Sequence, residues 1–252
     1  MKLIVNGDDF GFSKEVNKDI IKCHTDGILT SATIIAYGDA FDDAIDMAKK
    51  YPKLGIGVHL VIDGDFDIPK RKSSLIDVSR GTFYGVDEAL KKIKNGSFKY
   101  QDLVEEYSCQ IEKVLRSGVE ITHLDHHHHL HLYFPVLNAV IEVAKRYNIP
   151  YIRPQKIVSS YDVSLSKKVY REFHHFYLKN RYKTIDGYLG LLSFDQEVMR
   201  ERLQTVLRSD REVVELMVHP SLENGEVAFL TDQRVVDLSE DNLINYGTLL
   251  SD

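Results

Sequence analysis

The chain has 252 residues, 43% of them hydrophobic, a formal net charge of −6 and a pI near 6.0. That length buries a large core and suits one α/β barrel or one large domain. The acidic balance, with no basic stretch to neutralise phosphates, excludes nucleic acid and anionic membrane surfaces as partners.

Read from the start, "MKLIVNGDDFG" has too short an apolar run for a signal peptide, and nothing later resembles a membrane span, so a cytoplasmic location is expected. The run reads as a strand ending at Asp8 and Asp9, before a helix "SKEVNKDIIKCHTDG" whose N-cap is Ser13. "SATIIAY" and "DAFDDAIDMAKKY" repeat the pattern, and "LGIGVHLVI" is a strand carrying His59. Residues 62–100 are polar and Gly-punctuated, which predicts a long excursion over one face, either a lid or binding segment or a mobile insertion. Within it "KKIKNGSFK" reads as a solvated helix end and turn. In "DLVEEYSCQIEKVLRSG" the residues Leu103, Val104, Tyr107, Ile111, Val114 and Leu115 share one helical face, and Gly118 is placed to stop the helix. Then come "EITHLDHHHH", "FPVLNAVIEVAKRYN", "PYIRP", "QEVMRERLQTVLRS" and "VVELMVHP", with Ser239 at an N-cap position. Strands alternating with helices of this length mean βαβ units and a parallel sheet, here one domain over residues 1–252. Cys23 and Cys109 sit in helix-like patterns and read as small core hydrophobes of a reducing compartment.

The tract "THLDHHHHLHLY" holds six of the chain's eleven histidines. It is internal and leads into a helix, so it is not a tag. A continuous strand would put His123, Asp125, His127, His129 and His131 on one side, and His126 and His128 on the other. The ionisable residues share one habit: Asp8 and Asp9, His59, Asp125 and His127, Arg153 and His219 all lie near the C-terminal end of an apolar run. Parallel α/β folds bind ligands at that edge of the sheet. Singly, an Asp-Asp pair before a helix is an ordinary dipole partner and a lone histidine an ordinary half-buried residue. Together, imidazoles and carboxylates converging from several strands are the ligand set of a catalytic divalent metal with an open position.

"IVNGDDFGFSKEVNKDI", "TSATIIA", "IGVHL", "THLDHHHHLH" and "VHP" together resemble the YdjC-like carbohydrate deacetylase family, which includes the chitooligosaccharide deacetylases. The matches extend from residue 3 to about 220, with Gly7 where the family has alanine. The family's His-x-Asp-Ser-His-x-His-x-His falls on His123, Asp125, His127, His129 and His131, and His126 replaces the serine, which makes the run of four. The resemblance implies a distorted (β/α) barrel with a parallel sheet, polysaccharide-deacetylase-like. It implies one divalent metal ion, Mg2+ or Zn2+, on Asp9, His59 and His127, with Asp8 as general base and His219 as general acid. Arg153, Asp125 and His129 would orient these groups or the substrate, and His129 competes with His219 for the acid role. The implied reaction removes an N-acetyl group from an amino sugar or chitooligosaccharide, phosphorylated diacetylchitobiose among the candidates. The partner is thus a small carbohydrate, and a homodimer is expected. A metal-dependent phosphoesterase and a non-catalytic metal binder are the competing readings.

Overall fold

The apolar run before the two aspartates forms β1 (Lys2–Phe10), and the Ser13 hydroxyl accepts from the Val16 N–H (3.2 Å) to start α1 (Lys14–Thr25). The computed structural model describes residues 1–68, 72–158, 164–221, 223 and 225–250. The alternation continues with β2 (Ser31–Ile34), α2 (Phe41–Lys50) and β3 (Gly55–Leu60). The excursion follows: a short antiparallel pair, β4 (Ile76–Asp77) with β5 (Thr82–Phe83), then α3 (Val86–Lys94). Next are α4 (Tyr100–Arg116), β6 (His123–His126), α5 (Phe134–Arg146), β7 (Tyr151–Ile152) and α6 (Leu165–Lys179). The chain ends with β8 (Gly187–Gly190), α7 (Gln196–Leu207), β9 (Val213–Val218), α8 (Glu226–Leu230) and α9 (Gln233–Ser239).

Seven strands form one parallel sheet in the order β7-β6-β3-β2-β1-β9-β8. The sheet curls until its two edges meet: Ile157 bridges Tyr188, and the Tyr188 N–H donates to the Lys156 carbonyl (2.9 Å). The result is an incomplete barrel with helices outside. Its interior is layered by strand phase, because alternate residues point the same way. Ile4, Ile185, Val213 and Tyr246 plug the bottom. Above them Asn6 and Asp8, in phase with Ile4, and Glu215, in phase with Val213, are all buried. His123 fills the next gap, stacked on Tyr246 with ring centroids 3.8 Å apart. It fits only because its neighbour in register is Gly57: a Cβ there would lie 2.6 Å from the imidazole.

Three sequence expectations are modified. Leu115 does not join the buried face of α4; it is 40% exposed, one helical step past buried Val114. Ser239 closes α9, and no side-chain capping bond from it starts the short 3-10 turn that follows. The excursion is packed, with Leu75 and Phe83 fully buried and Asp63 bridged to Tyr84, so the described part is no mobile insertion; residues 69–71 lie outside the described residues. Gly118, at φ +82, ends α4 as expected, and Cys23 and Cys109 form no disulfide among the described residues.

Candidate active site

The two aspartates enter one pocket because β1 is irregular there. Gly7 pairs with Ala32 and Phe10 with Ile34, so β1 carries one residue more than β2 between these points, a β-bulge. Asp9 takes φ 66, a left-handed conformation that aspartate tolerates better than most residues. In a regular strand the two side chains would diverge to opposite faces. The bulge instead brings both to the upper end of the barrel, with different partners.

Asp9 Oδ1 lies 3.5 Å from His59 Nε2 and 3.4 Å from His127 Nδ1, and these two nitrogens are 3.4 Å apart. Asp9 Oδ1 is buried and lacks a hydrogen-bond partner. Such a triangle of ligand atoms, one of them a buried carboxylate oxygen without a hydrogen-bond partner, fits a cation. Donors about 2.1 Å from one tetrahedral ion are roughly 3.4 Å apart, whereas octahedral magnesium at the same distance brings neighbours to roughly 3.0 Å. A second cluster, Asp8, His59 and Asp125, is close enough on distance alone. Its carboxylates are already engaged: Asp8 by Arg153, and Asp125 by His59, Thr33 and Arg153. Of these two clusters among the described residues, the first has the carboxylate oxygen without a hydrogen-bond partner.

His59 is held in place by Asp125. Its Nδ1 lies 2.7 Å from Asp125 Oδ1, and a proton there leaves Nε2 as the lone pair, the usual support of a metal-binding imidazole. Burial alone would lower the His59 pKa, but Asp125, then Asp8 and Asp9, raise it to about 9 in the ion-free protein.

Asp8 is clamped by Arg153 through two hydrogen bonds of 2.8 and 2.6 Å, and accepts a third from Asn6 (2.9 Å). Burial pushes its pKa up, yet the guanidinium outweighs burial and holds the carboxyl well below the usual range. The same fully buried guanidinium meets Asp125 at 2.7 Å and Glu215 at 2.6 Å. Glu215, donated to by the Tyr246 hydroxyl (2.5 Å), is nevertheless pushed up to about 7 by burial. His219 Nε2 stands 4.0 Å from Asp8 Oδ2, and its backbone N–H donates to Glu226 (2.7 Å).

The histidine tract leaves the strand early. β6 ends at His126; His127–Leu132 is a 3-10 turn in which His128 and His129 are left-handed, at φ 50 and 54. The strand-phase expectation holds through His126 and fails beyond it. His123 and Asp125 face the barrel interior, and His126 packs outward against the Tyr107 hydroxyl (2.8 Å). His127 reaches Asp9 by the turn, not by strand phase. His128 meets the buried carboxylate of Asp63 (2.5 Å), and His131 lies beneath, 3.1 Å from the Arg153 carbonyl. His129 lies against Tyr188 with ring centroids 5.5 Å apart; burial, then Arg153, pushes its pKa down to about 3. Phe83 and Tyr84 pack internally on Tyr37 and Phe98, while Phe66 reaches His127.

Sequence reasoning passed over Asn6, Thr33, Glu215, Glu226 and Tyr246. For Asn6 and Glu215 a signal existed: each is a polar residue inside an apolar strand run, in phase with the barrel interior.

A family model for YdjC-like proteins matches residues 2–242. A carbohydrate deacetylase of Thermoanaerobacter pseudethanolicus is 31% identical over 98% of both chains. Among solved structures, a proposed cellobiose-phosphate cleavage protein of Enterococcus faecalis V583 superposes with a TM-score of 0.80 at 28% identity, over 98% of each chain. A Streptococcus mutans CE4 esterase shares the fold alone, with a TM-score of 0.54 at 12% identity over 95% of this chain and 82% of the other. With the match spanning nearly its whole length, this chain belongs to the YdjC-like protein family.

Proposed function

We propose that the chain is a metal-dependent hydrolase that removes an N-acetyl group from an acetylated amino sugar or chitooligosaccharide. One observation carries the reading: the adjacent aspartates have separate environments, Asp9 facing two imidazoles with an unsatisfied oxygen, and Asp8 clamped by Arg153 beside His219. The deacetylase relatives and the CE4 esterase fold support it.

Asp9, His59 and His127 would hold one divalent ion, and two imidazoles with edges near 3.4 Å suit zinc better than magnesium. Such an ion supplies Lewis acidity, polarising the amide carbonyl and making water a nucleophile near neutral pH. Asp8, ionised throughout the working range because of Arg153, takes the proton as water adds to the carbonyl carbon. Arg153 fixes the carboxylate so that attack needs no rotamer search. His219, its backbone anchored by Glu226, delivers a proton to the nitrogen as the C–N bond breaks, giving acetate and a free amine. The phosphoesterase reading wants a second ion, and the only other donor cluster among the described residues is already saturated by Arg153 and Thr33.

The test is metal content by elemental analysis beside acetate release from diacetylchitobiose. Asp8→Asn is expected to keep the metal and lose roughly 10²–10⁴ in turnover. Asp9→Asn is expected to lose metal, with activity partly restored by added ion. Metal lost from the first variant and kept by the second would invert the two roles; full activity in both would end the hydrolase reading.

A further inference from the structure

A cavity of about 590 Å3 opens beside His127, and no step above uses it. That size falls within the roughly 300–1,000 Å3 of small-molecule sites. The His127 ring, in edge-to-face contact with Phe66 (centroids 6.2 Å), joins it to the metal-ligand face. The wall also includes Phe12, 50% exposed.

Phe12 is not a loose surface ring. Its N–H donates to the Asp9 carbonyl (3.0 Å), and the preceding Gly11, at φ +92, donates to Asn17 Oδ1 (2.7 Å) and accepts from the Ala40 N–H (2.9 Å). Asn17 is fully buried and donates onward to Asp43 and the Ala40 carbonyl. The turn is packed so closely against Gly38 that a Cβ there would lie 2.0 Å from the Gly11 oxygen. The backbone that carries this large, half-exposed apolar ring is thus fixed three residues from Asp9. An exposed aromatic face on an anchored backbone beside a polar cavity matches the apolar C–H face of a pyranose, and Glu15 and Asp39 offer acceptors for its hydroxyls.

The charges decide what kind of sugar. Among the described residues Lys14 is the sole cation on the lining, set against Glu15, Asp39 and Asp65, and Asp65 is paired with Arg80 from outside the cavity. The first N–H groups of α1 would otherwise seat a phosphate. The Glu15 carboxylate already draws on its own backbone N–H and on Ser13 there. A phosphate dianion would meet carboxylates and a donor position in use.

We infer that this cavity is a subsite for an uncharged sugar ring next to the one that is deacetylated, with Phe12 as its stacking platform, and that it disfavours a phosphorylated ring. The inference rests on the deacetylase reading and deepens its substrate class.

The test measures kcat/KM for acetate release from N-acetylglucosamine, diacetylchitobiose and its 6-phosphate. Calorimetric binding of diacetylchitobiose to chelator-treated protein provides a second readout. The wild type is expected to favour the neutral disaccharide over both others. Phe12→Ala is expected to lower the disaccharide-to-monosaccharide ratio about tenfold and weaken disaccharide binding in proportion, while Phe12→Tyr keeps both. Glu15→Lys is expected to move preference toward the phosphorylated disaccharide. An unchanged ratio and unchanged binding in Phe12→Ala, or a wild-type preference for the phosphate, would overturn the subsite and leave the deacetylase standing. Release of acetate from none of the sugars by metal-loaded wild type would remove both.

Discussion

Replacing Arg153 with methionine removes a guanidinium that is fully buried and touches Asp8, Asp125 and Glu215 at 2.6 to 2.8 Å. The volume is nearly kept, so the loss is electrostatic. Breaking a buried ion pair from one side costs roughly 3–5 kcal/mol, because the remaining charge has neither water nor a partner. For a domain of this size each kcal/mol moves Tm by roughly 2–4 °C, so Arg153→Met should melt about 6–20 °C below the wild type. The pH dependence separates this cause from poor packing. In the wild type the Asp8 pKa is held below its unfolded value, so its contribution is present above about pH 4 and lost as pH falls further. Without the guanidinium, the burial of Asp8 and Glu215 is less well compensated and both carboxyls are raised further, so the variant takes up more protons than the wild type as pH is lowered from 7.5 to 5 and recovers stability relative to it. The deficit in Tm, measured by circular dichroism on metal-free protein, should therefore narrow as pH falls over that interval. Arg153→Lys should recover only part of the loss, since one ammonium cannot form the two parallel bonds to Asp8. A deficit below about 2 °C, or one that widens on acidification, would refute the account.

Asp125→Asn should weaken metal affinity about 10–100-fold, because one amide oxygen cannot serve His59, Thr33 and Arg153 together; competition with a chromogenic chelator reads this directly. Gly38→Ala should cost about 2 kcal/mol or more in denaturant unfolding, since the new Cβ would overlap the Gly11 carbonyl, a backbone atom that cannot swing away. His175, only 7% exposed, has its pKa pushed down to about 4 by burial, then by Lys156 and Lys179. Its neutral form therefore stabilises the fold above about pH 6.5, and up to about 3 kcal/mol is lost as pH falls toward 4. His175→Phe should flatten the unfolding free energy over that range, and an unchanged slope would show that other groups dominate.

The alternation of apolar runs and helical patterns was enough to read a parallel α/β fold, and the clustering of Asp8, Asp9, His59, Arg153 and His219 at run ends was enough to read one site. Both are periodic signals, and period survives in sequence. What failed was local and aperiodic. The left-handed turn at His128 and His129 carries no glycine to announce it, and the bulge at Asp9 looks in sequence like two more strand residues. Aspartate and histidine are among the few side chains tolerated there, so Asp9, His128 and His129 conceal in sequence the backbone that presents them. The family resemblance implied an orienting role for Arg153, but its ties to Asp125 and Glu215 depend on how the barrel closes, which no short stretch encodes.

The sheet order has a bearing on biosynthesis. β1, the strand with both aspartates, lies between β2 and β9, and its register with β9 runs from Lys2–Val213 to Gly7–Val218. The second-earliest neighbour in space is the last strand in time. At roughly 5–20 residues per second, about 10–40 s separate the two on the ribosome, during which β1 presents one unpaired edge. An exposed edge of that kind is a template for pairing with other chains. A nonsense mutation between β8 and β9 would thus remove more than His219: it would leave a nascent sheet open down its middle, a substrate for chaperones and proteases.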